Sequence, residues 1–201
     1  MNIAVFASGK GTNFQAIAEA VHKGFIKARL SLLVCDTPGA PVVQKAQRAQ
    51  VPVFLIERKS FSSLKEFESR IIKALRQEKI DLIVLAGFMR ILSPAFVAQF
   101  KGRMLNIHPS LLPSFKGTRG IQEAFRYGVK VTGVTVHFVD EHVDHGPIIL
   151  QSPLPLAANE TLASLERKIH ALEHTLYPQA VKLFTEGKLR IKGRVVRVAS
   201  R

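Results

Sequence analysis

The fold turns on the opening stretch, Asn2-Ile3-Ala4-Val5-Phe6-Ala7, then Ser8-Gly9-Lys10-Gly11-Thr12-Asn13, then the ten residues to Lys23. The first six residues are a short apolar run, and the next six are a polar, glycine-rich break. Over residues 13–23, Phe14, Ile17, Ala18 and Val21 recur at helical spacing. Strand, turn, helix is the reading. Glycines let such a turn bend sharply and bring its backbone close to a ligand. The helix start adds N–H groups at the positive end of its dipole, which makes an anion site. The spacing fits neither the dinucleotide pattern G-x-G-x-x-G nor the P-loop pattern G-x-x-x-x-G-K-[ST]. Thr12 or Asn13 as a simple helix cap is the competing reading, and at this stage both stand.

Outward from the turn the same alternation continues. Residues 30–35 read as a strand, 41–50 as a helix and 53–56 as a strand. Residues 63–78 read as a helix with Phe67, Ile71, Ala74 and Leu75 on one face. Residues 81–86 are almost wholly apolar, as expected of a strand covered on both faces. Repeated β-α pairing predicts an α/β fold with a parallel, doubly wound sheet.

After a further short strand at 104–107 the rhythm changes. Residues 131–139 alternate, with Val134, Val136 and Phe138 facing one way and Thr135, His137 and Val139 the other. Gly146-Pro147 interrupts, and 148–152 is the next strand. The two predict an antiparallel pair at the edge of a mixed sheet. Residues 161–176 form the clearest helix, striped by Leu162, Leu165, Ile169, Leu172 and Leu176. Pro178 is expected to break it before 180–185 resume, with Gly187 as the stop. The organisation is one domain over 1–187 followed by a basic tail, 188–201.

The chain has 201 residues, enough for a self-sufficient core. The lone Cys35 excludes an intramolecular disulfide and fits a reducing compartment. There is no apolar run of about 20 residues for a membrane helix and no signal-peptide pattern, so the expected location is cytoplasmic. With 29 Lys and Arg against 15 Asp and Glu the net charge is +14. Such a field attracts phosphorylated metabolites, polyglutamate tails or nucleic acid. Part of it lies in the tail at Lys188, Arg190, Lys192, Arg194, Arg197 and Arg201, read either as a solvated face or as a partner contact. A basic nucleic-acid-binding module is the rival of a different class. With two Tyr, no Trp and no recognition motif, nucleic acid is not the expected partner.

Besides the opening turn, three segments can carry chemistry. Gly87-Phe88-Met89-Arg90-Ile91-Leu92 follows a buried strand, where α/β sheets bind ligands. It is either core or a groove for a flat aromatic ligand. In Asn106-Ile107-His108-Pro109, strand geometry turns Asn106 and His108 to the same side, so an amide and an imidazole can converge on one atom; a purely structural histidine is the competing reading. His137, Asp140, Glu141, His142, Asp144 and His145 invite a metal reading. They contain no HExxH and have no thiolate partner, so a carboxylate aimed at a histidine is preferred and no metal is expected. Glu173, at the edge of the apolar stripe, reads on periodicity as a surface residue.

Taken together these segments resemble the glycinamide ribonucleotide formyltransferases, the folate-dependent transformylases of purine synthesis. The likeness rests on 8–13, 85–94, 105–113, 137–139, 144–147, Glu173-His174 and Tyr177-Pro178, and runs in order to about residue 185. It implies a Rossmann-like three-layer sandwich, mostly parallel with an antiparallel edge, and a ligand cleft at the strand ends. It implies that Gly11, Thr12 and Asn13 hold the substrate phosphate and Glu173 the rest of the ribonucleotide. Met89, Arg90, Ile91 and Leu92, with Asn106 and Asp140, would bind folate; Asn106, His108 and Asp144 would be catalytic. One departure stands out. The family usually places a basic residue after Phe-x-Ser, whereas Phe61-Ser62-Ser63 is followed by Leu64, so that either Lys65 substitutes from the next position or the contact is lost. The glycine-containing stretch 114–120 suits a mobile flap.

The implied reaction transfers the formyl group of 10-formyltetrahydrofolate, a co-substrate, to the amine of the ribonucleotide. Asn106 and a protonated His108 would stabilise the tetrahedral oxyanion. Asp144 would favour the imidazolium, raising the His108 pKa, and accept the amine proton directly or through water. The partners are small molecules, and the sequence also allows a homodimer. Formyltetrahydrofolate hydrolase and initiator-tRNA formyltransferase share the Asn/His/Asp core. The start of the catalytic strand at Asn2 and the few residues past Gly187 are expected to disfavour both, since the former carries an N-terminal and the latter a C-terminal domain.

Overall fold

A computed structural model describes residues 1–199; Arg201, the last tail cation, lies outside the described residues. The chain divides into two units, Met1–Leu105 and Asn106–Arg201.

In the first unit β1 (Asn2–Ala7), β2 (Arg29–Cys35), β3 (Val53–Leu55) and β4 (Leu82–Leu85) lie in the order β3-β2-β1-β4. Every pairing among them is parallel. Ile3 to Ala7 and Leu82 to Val84 are buried without exception, which is why these strands are apolar rather than alternating. Between the strands run α1 (Thr12–His22), α2 (Pro41–Arg48), α3 (Leu64–Gln77) and α4 (Pro94–Gln99). Their starts are written locally. Pro41 and Pro94 occupy first turns. Ser63 Oγ accepts the Glu66 N–H at 3.1 Å, while the Glu66 carboxylate takes the Ser62 hydroxyl at 2.9 Å. α4 is too short for periodicity to reveal and was not expected. Each parallel strand hands its carboxyl end to a loop: 8–11 after β1, Asp36 after β2 and 87–93 after β4.

The boundary between the units falls inside β5 (Met104–His108). The second unit continues with α5 (Gly120–Tyr127), β6 (Val131–Phe138), β7 (Ile148–Pro155), α6 (Leu162–Thr185), β8 (Leu189–Lys192) and β9 (Val195–Val198). Its strand order is β5-β6-β7-β9-β8. The expected antiparallel pair is present as β6 and β7, with a register shift between Val136 and His137. β7 is not the edge, however. β9 joins it in parallel at Ile148 and Val195, and β8 pairs antiparallel with β9. The described part of the basic tail is therefore a hairpin turning at Gly193 and Arg194, with its cations spread over a two-stranded ribbon.

α6 also differs from expectation, running unbroken through Pro178. A helix-interior proline costs about 3 kcal/mol. Here Leu176, Tyr177, Pro178, Ala180 and Val181 are all buried, and each large apolar side chain contributes roughly 1.5–3 kcal/mol. Packing outweighs the lost hydrogen bond. Glu173, expected on the surface, is buried within the same helix at 5% exposure. Among the described residues no helix is long and apolar enough to cross a membrane.

Candidate active site

In the first unit, the turn after β1 is shaped by Gly11, whose φ is +67°. A Cβ there would lie 2.4 Å from Val42 Cγ2, so both conformation and space require glycine. Gly11 thereby lets α1 start at Thr12 directly beside α2. Its carbonyl accepts the Gln15 N–H at 3.0 Å, and no side chain caps the helix. Thr12 and Asn13 are half-buried at that start; neither is the cap that the alternative reading required. The helix N-terminus remains a positive dipole end with polar side chains around it.

The loop after β4 is tied to this turn. Ser8 N donates to the Gly87 carbonyl at 3.0 Å, and Met89 N donates to Ser8 Oγ at 2.9 Å. Phe88 packs edge-on against Phe6, centroids 5.2 Å apart, and supplies the core half of the loop. Met89 and Ile91 do the opposite, at 63% and 76% exposure. Leu92 is half-buried. The Arg90 guanidinium is held by the buried Asp36 carboxylate at 2.7 Å. Glu68, a buried carboxylate on α3, anchors the far end by accepting both the N–H and the hydroxyl of Ser93. Periodicity could not single out Asp36 and Glu68, and the Ser93-Pro94 cap was the only local hint of the second. Lys65 is exposed on the first turn of α3. This unit thus presents rigidly held, solvent-facing apolar side chains beside a helix N-terminus.

In the second unit the sequence candidates Asn106, His108 and Asp144 come together, joined by His137. Asp144 Oδ2 lies 3.3 Å from His108 Nδ1 and accepts the Gly117 N–H at 2.7 Å. Asp144 Oδ1 accepts Asn106 Nδ2 at 3.4 Å. His108 Nε2 is 2.7 Å from the Phe115 carbonyl. Both His108 nitrogens face oxygen acceptors. The side chains of His108 and Asp144 are only 4% and 9% exposed, so the pair sits where water screens it poorly.

His137 completes the cluster. Its Nδ1 lies 2.7 Å from the Phe138 carbonyl and so carries the proton, leaving Nε2 to accept from Asn106 Nδ2 at 3.1 Å. Burial holds the His137 pKa below its ordinary value, against the opposing pull of the Phe138 carbonyl and the Asp144 charge. The neutral ring fixes the rotation of the Asn106 amide. Behind it, Thr135 Oγ1 donates to the Ser110 carbonyl at 2.7 Å and accepts Leu112 N at 3.0 Å, bracing the loop after β5.

Asp144 reaches this position through a loop that leaves β6 and returns at Gly146. A Cβ on Gly146 would fall 1.8 Å from the Phe138 carbonyl, so only glycine permits the return. Asp140 holds the loop from inside, accepting His142 N at 3.0 Å and facing His145 Nδ1 at 2.7 Å. Burial raises the Asp140 pKa, but these hydrogen bonds and the histidine charges outweigh it and leave it below the carboxylate norm. Arg194, from the hairpin turn, donates to the His145 carbonyl at 2.7 Å. The tail thus touches the loop that carries Asp144. On α6, Glu173 pairs with His170 Nδ1 at 2.9 Å. Burial, then the Glu173 charge, pushes the Tyr177 hydroxyl well above its usual pKa.

An amide donor, an imidazole and a carboxylate held dry at a strand end can stabilise an oxyanion and take up a proton. With a mostly parallel, helix-flanked α/β sheet, they define an enzyme of group transfer at a carbonyl carbon. Comparison with known proteins agrees. Residues 1–181 match the formyl transferase family, and the chain belongs to that family. It is 45% identical over 179 residues to phosphoribosylglycinamide formyltransferase of Bacillus subtilis, covering 89% of this chain and 92% of that one. It is 41% identical to the human trifunctional purine biosynthetic protein adenosine-3 over 94% of this chain and 19% of that protein. The structure matches glycinamide ribonucleotide transformylase 1 of Symbiobacterium toebii with a TM-score of 0.97 at 41% identity, covering 100% and 94% of the two chains.

Proposed function

We propose that this chain transfers the formyl group of 10-formyltetrahydrofolate to the amine of N1-(5-phosphoribosyl)glycinamide, a step of purine synthesis carried out in the cytoplasm. The observation that carries the reading is the Asn106–His108–Asp144 cluster, in a chain whose relatives include proteins named phosphoribosylglycinamide formyltransferase. Gly11, Thr12 and Asn13 hold the ribonucleotide phosphate, with Glu173 on its polar body. Met89, Arg90, Ile91 and Leu92 take the flat pterin through apolar contact, assisted by Asn106 and Asp140, and Lys65 meets the anionic folate tail.

The amine nitrogen attacks the formyl carbon, forming a C–N bond and placing the carbonyl electron pair on oxygen. Asn106 Nδ2 donates to that oxyanion by exchanging its long, 3.4 Å bond to Asp144. The His108 imidazolium adds its charge once substrate displaces the Phe115 carbonyl from Nε2. One such donor is worth about 10²–10³ in rate. Asp144, freed from Asn106, accepts the amine proton directly or through one water. Collapse breaks the bond to N10 of the folate, which leaves with that proton as tetrahydrofolate. Every charge that develops meets a side-chain partner, and no metal is called for.

The test follows folate absorbance with and without the ribonucleotide. Turnover should require the ribonucleotide amine and survive exhaustive treatment with EDTA. Equal rates in its absence would point to the hydrolase reaction, and formylation of charged initiator tRNA to the tRNA enzyme. Gly11→Val is a poor probe of the phosphate, since its clash with Val42 disturbs the fold itself. Asn13→Ala is cleaner.

A further inference from the structure

The loop between β6 and β7 carries a donor set of which the reaction above uses only Asp140, toward folate, and neither histidine. Asp140, His142 and His145 each bring one ligand atom into a group whose members all lie within 4.8 Å of one another. Asp140 is already oriented by the His142 N–H at 3.0 Å and faces His145 Nδ1 at 2.7 Å. The two imidazoles stand 5.1 Å apart, centroid to centroid, at 63°. Around a tetrahedral ion with 2.0–2.2 Å bonds, ligand atoms stand roughly 3.3 Å apart. Reaching that spacing asks for a small opening of the Asp140–His145 pair and a swing of the exposed His142 side chain.

We propose that Asp140, His142 and His145 form a three-ligand site for a divalent transition metal such as Zn²⁺, Co²⁺ or Ni²⁺, leaving the fourth position to water. Two imidazoles and one carboxylate select these ions over Mg²⁺ and Ca²⁺, which take oxygen ligands. The site lies outside the Asn106–His108–Asp144 cluster and supplies no group to the bond-making steps. Its effect is on the loop. An ion there replaces the Asp140–His145 hydrogen bond and cross-links three residues flanking Asp144. Resting on the proposed role of Asp140 toward folate, the ion should therefore inhibit.

Arg194 sets the opposing force. Its guanidinium donates to the His145 carbonyl at 2.7 Å, and Nη1 lies 3.0 Å from His145 Nε2. Nη1 is also 3.4 Å from His145 Nδ1, so the guanidinium lies over the ring face while Nδ1 faces Asp140. A metal ion on Nδ1 places a like charge beside the guanidinium stacked on the same ring. Arg194 thus competes with the ion, so its removal should strengthen binding while loss of a histidine should weaken it. An unspecific surface association would not show this opposed pair.

The experiment titrates the untagged full chain with Co²⁺ alone, read by visible d–d absorption, and with Zn²⁺ alone, read by calorimetry. One ion per chain is expected, with Zn²⁺ displacing Co²⁺. His142→Ala, at an exposed side chain, and His145→Ala should each weaken binding about tenfold or more. Arg194→Ala should tighten it several-fold, and His170→Ala should leave it unchanged. Zn²⁺ should also inhibit formyl transfer in the wild type, with the inhibition weakened in His142→Ala. Absence of Co²⁺ binding at millimolar concentration, or binding indifferent to both histidines, overturns the site. Binding with the expected pattern but no inhibition overturns its regulatory half and the placing of Asp140 at folate, leaving the formyl-transfer assay to judge the activity separately.

Discussion

The two units prepare for ligands in opposite ways. The first leaves apolar side chains where water meets them: Met89 and Ile91 are largely exposed on a loop whose backbone is pinned by Ser8 and Glu68 and whose Arg90 side chain is held by Asp36. The second does the reverse, burying two imidazoles and a carboxylate side chain beside a half-buried amide and satisfying them with one another. A binding surface gains when a ligand removes its apolar groups from water, so holding them exposed and still is useful. A catalytic cluster gains from low dielectric and fixed dipoles, so its groups wait paired until substrate exchanges for a partner. The exposed 89–92 loop should thus act mainly on affinity, and the Asn106–His108–Asp144 cluster mainly on the rate.

The largest effect that could break this contrast is at Asn106. Asn106→Ala removes the amide donor and leaves His137 Nε2 without its partner, and kcat should fall about 10²–10³-fold in steady-state assays. A rise in KM with kcat retained would move Asn106 to the binding side. Next in size is Ile91→Ser. Losing roughly 1.5–3 kcal/mol of apolar burial predicts a rise of about tenfold or more in KM for folate, with kcat close to wild type. The same assay should show no change toward the ribonucleotide.

The smallest effect sharpens the picture of the dry cluster. His137 has a lowered folded-state pKa, so below about pH 6.5 the unfolded chain takes up a proton that the folded chain refuses. Stability then falls as pH drops from that value toward the folded pKa, and above it the residue contributes no slope. Thermal midpoints measured across this window should decline for the wild type and decline less for His137→Gln. Parallel curves would mean that His137 is not held neutral by burial.

Much of this was legible in the residues, and the failures have physical causes. The apolar strands and the Asn106/His108 spacing speak through local periodicity, and they stand where expected. Glu173 misleads because a helix packed on more than one side buries residues beyond its stripe. Pro178 misleads because tertiary packing outweighs propensity. Asp36, Glu68 and Arg194 were invisible because each acts through a partner 25 to 54 positions away. The hairpin of the tail was masked by its cations, which suit an exposed ribbon as well as a coil.

The most direct test of the central claim is the kinetic split between Asp144→Asn and Asn13→Ala, with formyl transfer to the ribonucleotide measured as both substrates vary. Asp144→Asn keeps size and removes charge. The account predicts a loss in kcat of at least about 10²-fold with both KM values nearly unchanged, and adding His108→Ala should cost less than the two single losses combined. Asn13→Ala should raise KM for the ribonucleotide and leave kcat nearly intact. Contradiction would be Asp144→Asn acting mainly on KM, or the His108 and Asp144 losses simply multiplying. Either result would show that the buried pair is structural and that the chemistry is done elsewhere.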